Sequence, residues 1–94
     1  MSAIIEEWRR NIDELDSQIV ALLNRRAEYA LQIGREKQKR GQAIRSPERE
    51  AEVLKRAISQ NTGPLNGGAI QKIFQVILDE SRKLQEQEFR SSQR

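Results

Sequence analysis

Hydrophobic and polar positions follow the spacing of one long amphipathic helix over the first part of the chain. Apolar side chains recur in steps of three and four at Ile5, Trp8, Ile12, Leu15, Ile19 and Leu22, and the same steps continue through Arg26 to Tyr29 and Ile33. This heptad spacing predicts a helix over residues 3–40, because Gly41 is the first strong break. Such a helix is about 57 Å long at 1.5 Å per residue. A compact subunit of this size has a radius of gyration of only about 12 Å, so we expect an obligate dimer in which a second chain covers the stripe.

Two shorter helices are predicted after the first. Ser46 can cap a helix whose first residue is Pro47, and the apolar pattern carries that helix over residues 47–60. The Gly-, Pro- and Asn-rich run "SQNTGPLNGG" forms a loop, and a third helix follows over residues 69–87. The polar tail 88–94 is expected to fray. The pattern predicts a single all-α domain over residues 1–94, with a long, a short and a medium helix in each chain of the dimer.

Polar side chains fall on the stripes that these helices would bury. Each one alone has an ordinary explanation, such as a long side chain that reaches water or a hydroxyl that bonds its own helix. Together they imply an internal ion-pair network or an anionic ligand, because an uncompensated buried charge is costly. Three positive charges against one carboxylate favour the anion. The residues on the stripes are Arg26, Lys37, Glu50, Ser81 and Gln85, and Arg49 lies beside Glu50.

Composition removes several classes of function. The sequence has no His and no Cys, which excludes a zinc site of the usual kind, a histidine base, a Ser-His-Asp triad and thiolate chemistry. No apolar run approaches the roughly 20 residues that span a bilayer, and "MSAIIEEWRR" is too charged for a signal peptide. We therefore expect a soluble, cytoplasmic protein with no membrane partner.

The chain has a net charge of +3, and its positive residues cluster in the run "GREKQKRGQAIR", which has two possible interpretations. It can be a solvated helix end, which charge alone favours, or an anion site. Nucleic-acid binding would use the same cluster, but the run has no interleaved aromatic residues and no recognition motif is present.

The sequence resembles the all-helical class of chorismate mutases, also called type II. The resemblance rests on "IDELDSQIVALLNRRAEYALQIGREK", "IRSPEREAEVL" and "IFQVILDESRKLQE", and it covers about residues 5–87. It implies an intertwined homodimer of three-helix chains that converts the dianion chorismate to prephenate, in phenylalanine and tyrosine biosynthesis. It also implies that the reaction needs no cofactor and no metal, and that the chain binds no nucleic acid.

The resemblance assigns roles on the first two helices. Arg26 corresponds to the arginine that binds a substrate carboxylate, and Lys37 to the lysine that reaches the ether oxygen and a carboxylate. Arg49 matches an active-site arginine, and Glu50 matches the glutamate that accepts a hydrogen bond from the ring hydroxyl. Ser46 stands where the family often has Asp, at a position that contacts the same hydroxyl.

The remaining roles fall on the third helix and on the start of the first. Ser81 matches the serine near the ring carboxylate, and Gln85 matches the donor to the ether oxygen. Arg9 matches the arginine that the other subunit supplies. Arg9 and Arg26 are 17 positions apart, about 25 Å along a helix, so they cannot both grip one small molecule from the same chain.

Two other functions are compatible with the sequence. An isochorismate-pyruvate lyase would share the helical fold and bind a similar dianion, and an assay with both substrates separates the two reactions. A non-enzymatic dimeric helical module that binds nucleic acid or a protein is the other alternative. Salt-sensitive binding to duplex DNA would favour it.

Overall fold

The chain consists of three α-helices joined by two loops. The computed structural model describes residues 2–93, with α1 at Ala3–Lys39, α2 at Pro47–Gln60 and α3 at Gly67–Ser92. No strand occurs in that range. The predicted all-α architecture with a long, a short and a medium helix is confirmed.

Both ends of α1 have capping residues that explain its length. At the start, the Ser2 hydroxyl accepts a hydrogen bond from the backbone N–H of Ile5 at 3.3 Å. At the end, Gly41 adopts φ 67°, a conformation that costs glycine nothing. The backbone N–H groups of Gly41 and Gln42 then donate to the carbonyls of Gln38 and Lys37. This pair of bonds is a Schellman motif, and it ends α1 where the sequence predicts the break.

The short helix α2 begins and ends at the predicted residues. The Ser46 hydroxyl accepts a hydrogen bond from the backbone N–H of Arg49 at 3.4 Å, and Pro47 occupies the first helical position, where a missing N–H costs no bond. Capping therefore fixes the orientation of the first turn of α2, which carries Arg49 and Glu50.

The bounds predicted for the third helix are wrong at both ends, since α3 covers 67–92 instead of 69–87. The start is earlier because the Asn66 side chain caps the helix, accepting from the N–H of Ala69 at 2.8 Å. The helix extends beyond residue 87 because two side chains of the predicted tail form hydrogen bonds with residues of α1. Arg35 holds Glu88 at 2.6 Å, and Gln38 donates to the Ser92 hydroxyl at 2.8 Å. The segment predicted to fray is helical through Ser92, and Arg94 lies outside the described residues.

The helices form an extended body in which α3 packs against both α1 and α2. Its dimensions are 57 × 28 × 14 Å and its radius of gyration is 17.1 Å, well above the value of about 12 Å for a compact chain of this length. Within residues 2–93, only Ala30 and Gly34 are buried. None of the described helices is long and apolar enough to cross a membrane.

Most of the apolar stripe of α1 is in contact with solvent. The large apolar side chains of its N-terminal half are poorly covered by the described residues of the chain. Those more than half exposed in this half are Ile4, Trp8, Ile12, Leu15, Ile19, Val20 and Leu22. Monomeric proteins rarely expose so large a contiguous apolar surface.

Candidate active site

A cavity of about 280 Å³ lies where the C-terminal half of α1, the start of α2 and the middle of α3 meet. Its apolar walls include Ile33, Ile44, Val53 and Leu78. Seven of the eight polar residues singled out in the sequence also line this cavity: Arg26, Lys37, Ser46, Arg49, Glu50, Ser81 and Gln85.

Arg26 enters the cavity from α1 and is anchored by α3. Its Nη1 donates to the Ser81 hydroxyl oxygen at 3.0 Å, and the group is half-buried. Desolvation by the surrounding protein lowers the pKa of Arg26, and the positive charge of Arg49 lowers it further. Within residues 2–93, no carboxylate lies at ion-pair distance from Arg26. The guanidinium is therefore a partly desolvated cation without a counter-charge.

Lys37 reaches the cavity from the last turn of α1. Its Nζ donates to the carbonyl oxygen of Ile44 at 3.0 Å, which ties the loop between α1 and α2 to the end of α1. An ammonium has three donors, so two N–H groups are left for other acceptors. Lys37 also has no ion-pair partner among the described residues.

Gln85 crosses from α3 to the backbone of α1. Its Nε2 donates to the carbonyl oxygen of Ala30 at 2.6 Å, which leaves the second N–H of the amide for another acceptor. Gly34 leaves room for this approach, since a Cβ at that position would lie 3.2 Å from the Gln85 Cγ, tighter than an ordinary van der Waals contact. A larger residue at position 34 would require the Gln85 side chain to shift by a few tenths of an ångström.

The first turn of α2 supplies one carboxylate and one guanidinium to the cavity wall. Arg49 pairs with Glu52 on its own helix at 2.6 Å, and both side chains are exposed. Glu50 is better protected, with an 18% exposed side chain. Its Oε2 lies 3.3 Å from Arg45 Nε, and its Oε1 lies 3.5 Å from Arg82 Nη1.

Arg45 and Arg82 also line the cavity, and the sequence-based selection missed both. Arg45 directly precedes the cap of α2 and is the last residue of the basic run 34–45, which was the available signal. Arg82 lies one position beyond the stripe that contains Ser81, so heptad spacing places it beside the site rather than in it. Its contact with Glu50 depends on how α3 packs against α2, which periodicity does not specify.

Positive charge dominates the cavity. Its lining contains five cationic side chains and a single carboxylate, Glu50, which Arg45 and Arg82 already neutralise. Arg26 and Lys37 supply the uncompensated charge. A site with this balance and apolar walls suits a small anion with more than one carboxylate, and it offers fixed donors rather than a group that titrates near neutral pH.

Arg9, the eighth predicted residue, is not part of this cavity. It lies in the exposed half of α1, its side chain is 68% exposed, and its Nη1 bonds Glu6 on the same helix at 3.0 Å. The expectation that Arg9 and Arg26 of one chain do not share a site agrees with this arrangement.

Comparisons with known proteins agree on one family. The family model for chorismate mutase type II matches residues 8–86. The chorismate mutase of Methanocaldococcus jannaschii is 29% identical over 92 residues, which cover 95% of this chain and 91% of that protein. The bifunctional chorismate mutase/prephenate dehydratase of Neisseria gonorrhoeae is 38% identical over 84 residues, but these are 23% of its length.

A solved structure shares the whole architecture. Chorismate mutase from Helicobacter pylori in complex with prephenate superposes with a TM-score of 0.86 at 35% identity, covering 95% of this chain and 97% of that one. The family match extends over the helices that build the cavity, and the resemblance found in the sequence is confirmed. The chain belongs to the chorismate mutase type II family.

Proposed function

We propose that this chain catalyses the rearrangement of chorismate to prephenate. The observation that carries the proposal is the pair of uncompensated cations, Arg26 and Lys37, on the wall of an apolar-sided cavity of about 280 Å³. Family membership and the prephenate complex of the Helicobacter pylori relative support the same substrate class.

The reaction needs orientation and charge stabilisation rather than proton transfer. The ether C–O bond breaks as a C–C bond forms within the same molecule, and negative charge builds on the ether oxygen. Arg26 and Arg49 would hold carboxylates and thereby fix the compact diaxial conformer, because a guanidinium binds a carboxylate through two parallel hydrogen bonds. Lys37 and the second N–H of Gln85 would donate to the ether oxygen.

Three further residues would complete the ligand contacts. Glu50 would accept a hydrogen bond from the ring hydroxyl, and the backbone near Ser46 would contribute at the same place. Ser81 would lie beside the ring carboxylate, where its hydroxyl already accepts from Arg26. Each role follows the family resemblance and is compatible with the lining of the cavity.

We also propose an intertwined homodimer in which Arg9 of each chain completes the cavity of the other. The exposed apolar half of α1 supports this, since a second copy carries the same stripe and can cover it. The lone i,i+3 contact of Arg9 with Glu6 is exposed and therefore weak, so it can yield to a dianion. We also propose a cytoplasmic location, in keeping with the amino-acid biosynthesis that the family resemblance implies.

Following chorismate loss by ultraviolet absorption, with identification of the product, tests the activity. Prephenate is the expected product, and isochorismate offered in parallel should not be cleaved to pyruvate. Lys37→Met should lose activity on the order of 10²–10³-fold, as when one donor to a developing oxyanion is removed.

Lys39→Met is the matched control, because Lys39 belongs to the same turn of α1 but is exposed and does not line the cavity. It should retain wild-type activity. An inactive wild-type protein, or equal losses in the two variants, would contradict the proposed site.

A further inference from the structure

Glu50 is the single carboxylate on the wall of a cavity that otherwise attracts anions. In this position Glu50 could accept a hydrogen bond from a ligand hydroxyl. Its side chain could instead turn toward Arg26 and Lys37 and neutralise their charge. The direction of its side chain therefore decides whether the cavity receives a dianion. The residues that contact Glu50 therefore matter for ligand binding, because they set the orientation of its carboxylate.

Each carboxylate oxygen of Glu50 has its own guanidinium. Arg45 reaches Oε2 from the loop before α2, and Arg82 reaches Oε1 from α3. The two contacts differ in burial, since the Arg45 side chain is 63% exposed and the Arg82 side chain 26%. Solvent screens an exposed pair much more than a buried one. Arg82 is therefore the stronger restraint on Glu50.

Arg82 is itself held in place by neighbours on α3. Its Nη2 lies 3.4 Å from Asp79 and its Nε lies 3.6 Å from Glu86, at i,i+3 and i,i+4 spacing. Asp79 is fixed in turn by a bond from Gln75 Nε2 at 3.0 Å. Within residues 2–93, the contact between Arg82 and Glu50 is the one ion pair that connects α2 with α3.

The charge around Arg82 distinguishes it from the proposed ligand-binding cations. Three carboxylates surround it, whereas Arg26 and Lys37 have none at ion-pair distance among residues 2–93. A guanidinium that is already compensated has little attraction left for a substrate carboxylate. Its effect on a ligand would act through the residue it orients.

We propose that Arg82 is a positioning residue that holds Glu50 in the orientation in which it accepts a hydrogen bond from the substrate hydroxyl. By engaging Oε1, Arg82 also keeps Glu50 from pairing with the cations that bind the dianion. This inference rests on the proposed chorismate mutase activity and adds to it a residue that the sequence pattern does not select.

A double-mutant cycle tests the proposal. The steady-state constants kcat and KM for chorismate are measured for wild type, Arg82→Met, Glu50→Gln and the double variant. Arg82→Met is expected to lower kcat/KM by about tenfold or more in the wild-type background, the scale of a lost contact that orients a charged group. In the Glu50→Gln background the same substitution should cost less than about twofold, because Arg82 then has no carboxylate to orient.

Two further variants separate positioning from folding. Arg82→Lys keeps a charge that can reach one oxygen of Glu50, so it should recover part of the loss, and it also serves if Arg82→Met does not fold. Lys83→Met is the matched control, because Lys83 forms an exposed pair with Glu80 on α3 and does not line the cavity. Its activity should equal that of the wild type. Thermal unfolding by circular dichroism is recorded for every variant.

Equal penalties for the loss of Arg82 in the two backgrounds would overturn the proposal, because Arg82 would then act on the ligand or the fold without Glu50. Coupling in the unfolding temperature without coupling in kcat/KM would overturn it as well. An inactive wild-type protein would instead overturn the proposed activity, and the inference with it. The two failures are thus distinguishable in one set of measurements.

Discussion

The two halves of α1 carry one continuous heptad stripe, but they present different chemistry on it. The N-terminal half has Trp8, Ile12 and Leu15 at the stripe positions, and each of these side chains is more than half exposed. The C-terminal half has Arg26 and Lys37 there, and both line the cavity between the helices. The same periodicity therefore produces an apolar surface in one half and a cationic wall in the other.

Each half lacks something that a single chain does not supply. The apolar half exposes large side chains that the described part of the chain leaves uncovered, which is rare on a monomeric protein. The cationic half holds charges without counter-charge, which a small anion can balance. In the proposed homodimer, Arg9 links the two requirements, because it lies in the apolar half and serves the cavity of the other chain.

The largest effect is expected from Arg26→Lys, which keeps the charge in the cationic half but removes the planar fork. The new ammonium cannot bind a carboxylate through two parallel bonds or maintain the same contact with Ser81. We expect kcat/KM for chorismate to fall on the order of 10²–10³-fold. Arg25→Lys, at the neighbouring exposed position, should behave like the wild type. Near-normal turnover and affinity in Arg26→Lys would show that Arg26 is only a structural residue.

Gln85→Glu should have the next largest effect, and the loss should depend on pH. An ionised carboxylate can only accept hydrogen bonds, so it would repel both the Ala30 carbonyl and the ether oxygen. We expect a loss of about 10²-fold at neutral pH, as for other lost donors of this kind. Acid should restore activity as the carboxyl gains its proton. Recovery should be partial, because one O–H cannot serve the two acceptors that the amide serves.

The wild type provides the baseline for this pH profile. The sequence has no histidine, so its turnover should change little between about pH 5.5 and 8. Gln71→Glu is a matched control, because Gln71 is exposed on α3 and does not line the cavity. A Gln85→Glu enzyme that is equally active throughout that range would remove the role proposed for Gln85.

The link between the two halves predicts complementation. A mixture of inactive Arg9→Ala and Arg26→Ala chains should form heterodimers in which one of the two sites is intact. Random pairing at equal amounts gives about a quarter of the wild-type activity, because half of the dimers are mixed and each has one good site. The comparison mixture is Arg26→Ala with Arg49→Ala. There every site keeps one defect, so no rescue is expected.

The first mixture should be examined for dimer exchange, for instance by mass spectrometry of differently labelled chains. Demonstrated heterodimers without any rescue would show that Arg9 does not complete the cavity of the other chain.

The sequence predicts the helices well where capping is local. Ser46 with Pro47 sets the start of α2, and Gly41 sets the end of α1, since each acts through bonds within a few residues. The end of α3 was predicted wrongly because it depends on contacts of Glu88 and Ser92 with α1, more than 50 residues away in the chain. Composition made that segment look like a polar tail.

In the candidate site, too, the sequence predicts features that depend on local spacing and does not predict those that depend on contacts between distant segments. Residues on the stripes were selected because a charge at a buried position is costly, and this rule selects Arg26 and Lys37 from periodicity alone. This rule does not select Arg82, because Arg82 lies beside the apolar stripe of α3. It does not select Arg45, because Arg45 lies in a loop. Their contacts with Glu50 arise from the packing of α3 and the loop against α2, which only the folded chain specifies.

The smallest effect concerns the stability of the cationic half without a ligand. Desolvation and the charge of Arg49 lower the pKa of Arg26, so the fold disfavours its charged form. Arginine stays protonated far above neutral pH, and the cost therefore persists across the physiological range. Arg26→Met should raise the unfolding temperature of the ligand-free protein by a few degrees at most, on a scale of about 4–8 °C per kcal/mol. This increase in unfolding temperature should be the same at about pH 6 and about pH 8, because arginine does not titrate in that range.

Sulfate is a simple dianion. In its presence we expect the unfolding temperature of the wild type to exceed that of Arg26→Met. Sulfate should stabilise the wild type more than sodium chloride of equal ionic strength does, and it should have a smaller effect on Arg26→Met. Differential scanning calorimetry in both salts measures this, with Arg25→Met as the exposed control. A ligand-free Arg26→Met protein that unfolds well below the wild type would mean that the bond to Ser81 stabilises the fold more than the uncompensated charge destabilises it. The cationic half would then be a structural element like the apolar half, and the contrast between the two halves of α1 would not hold.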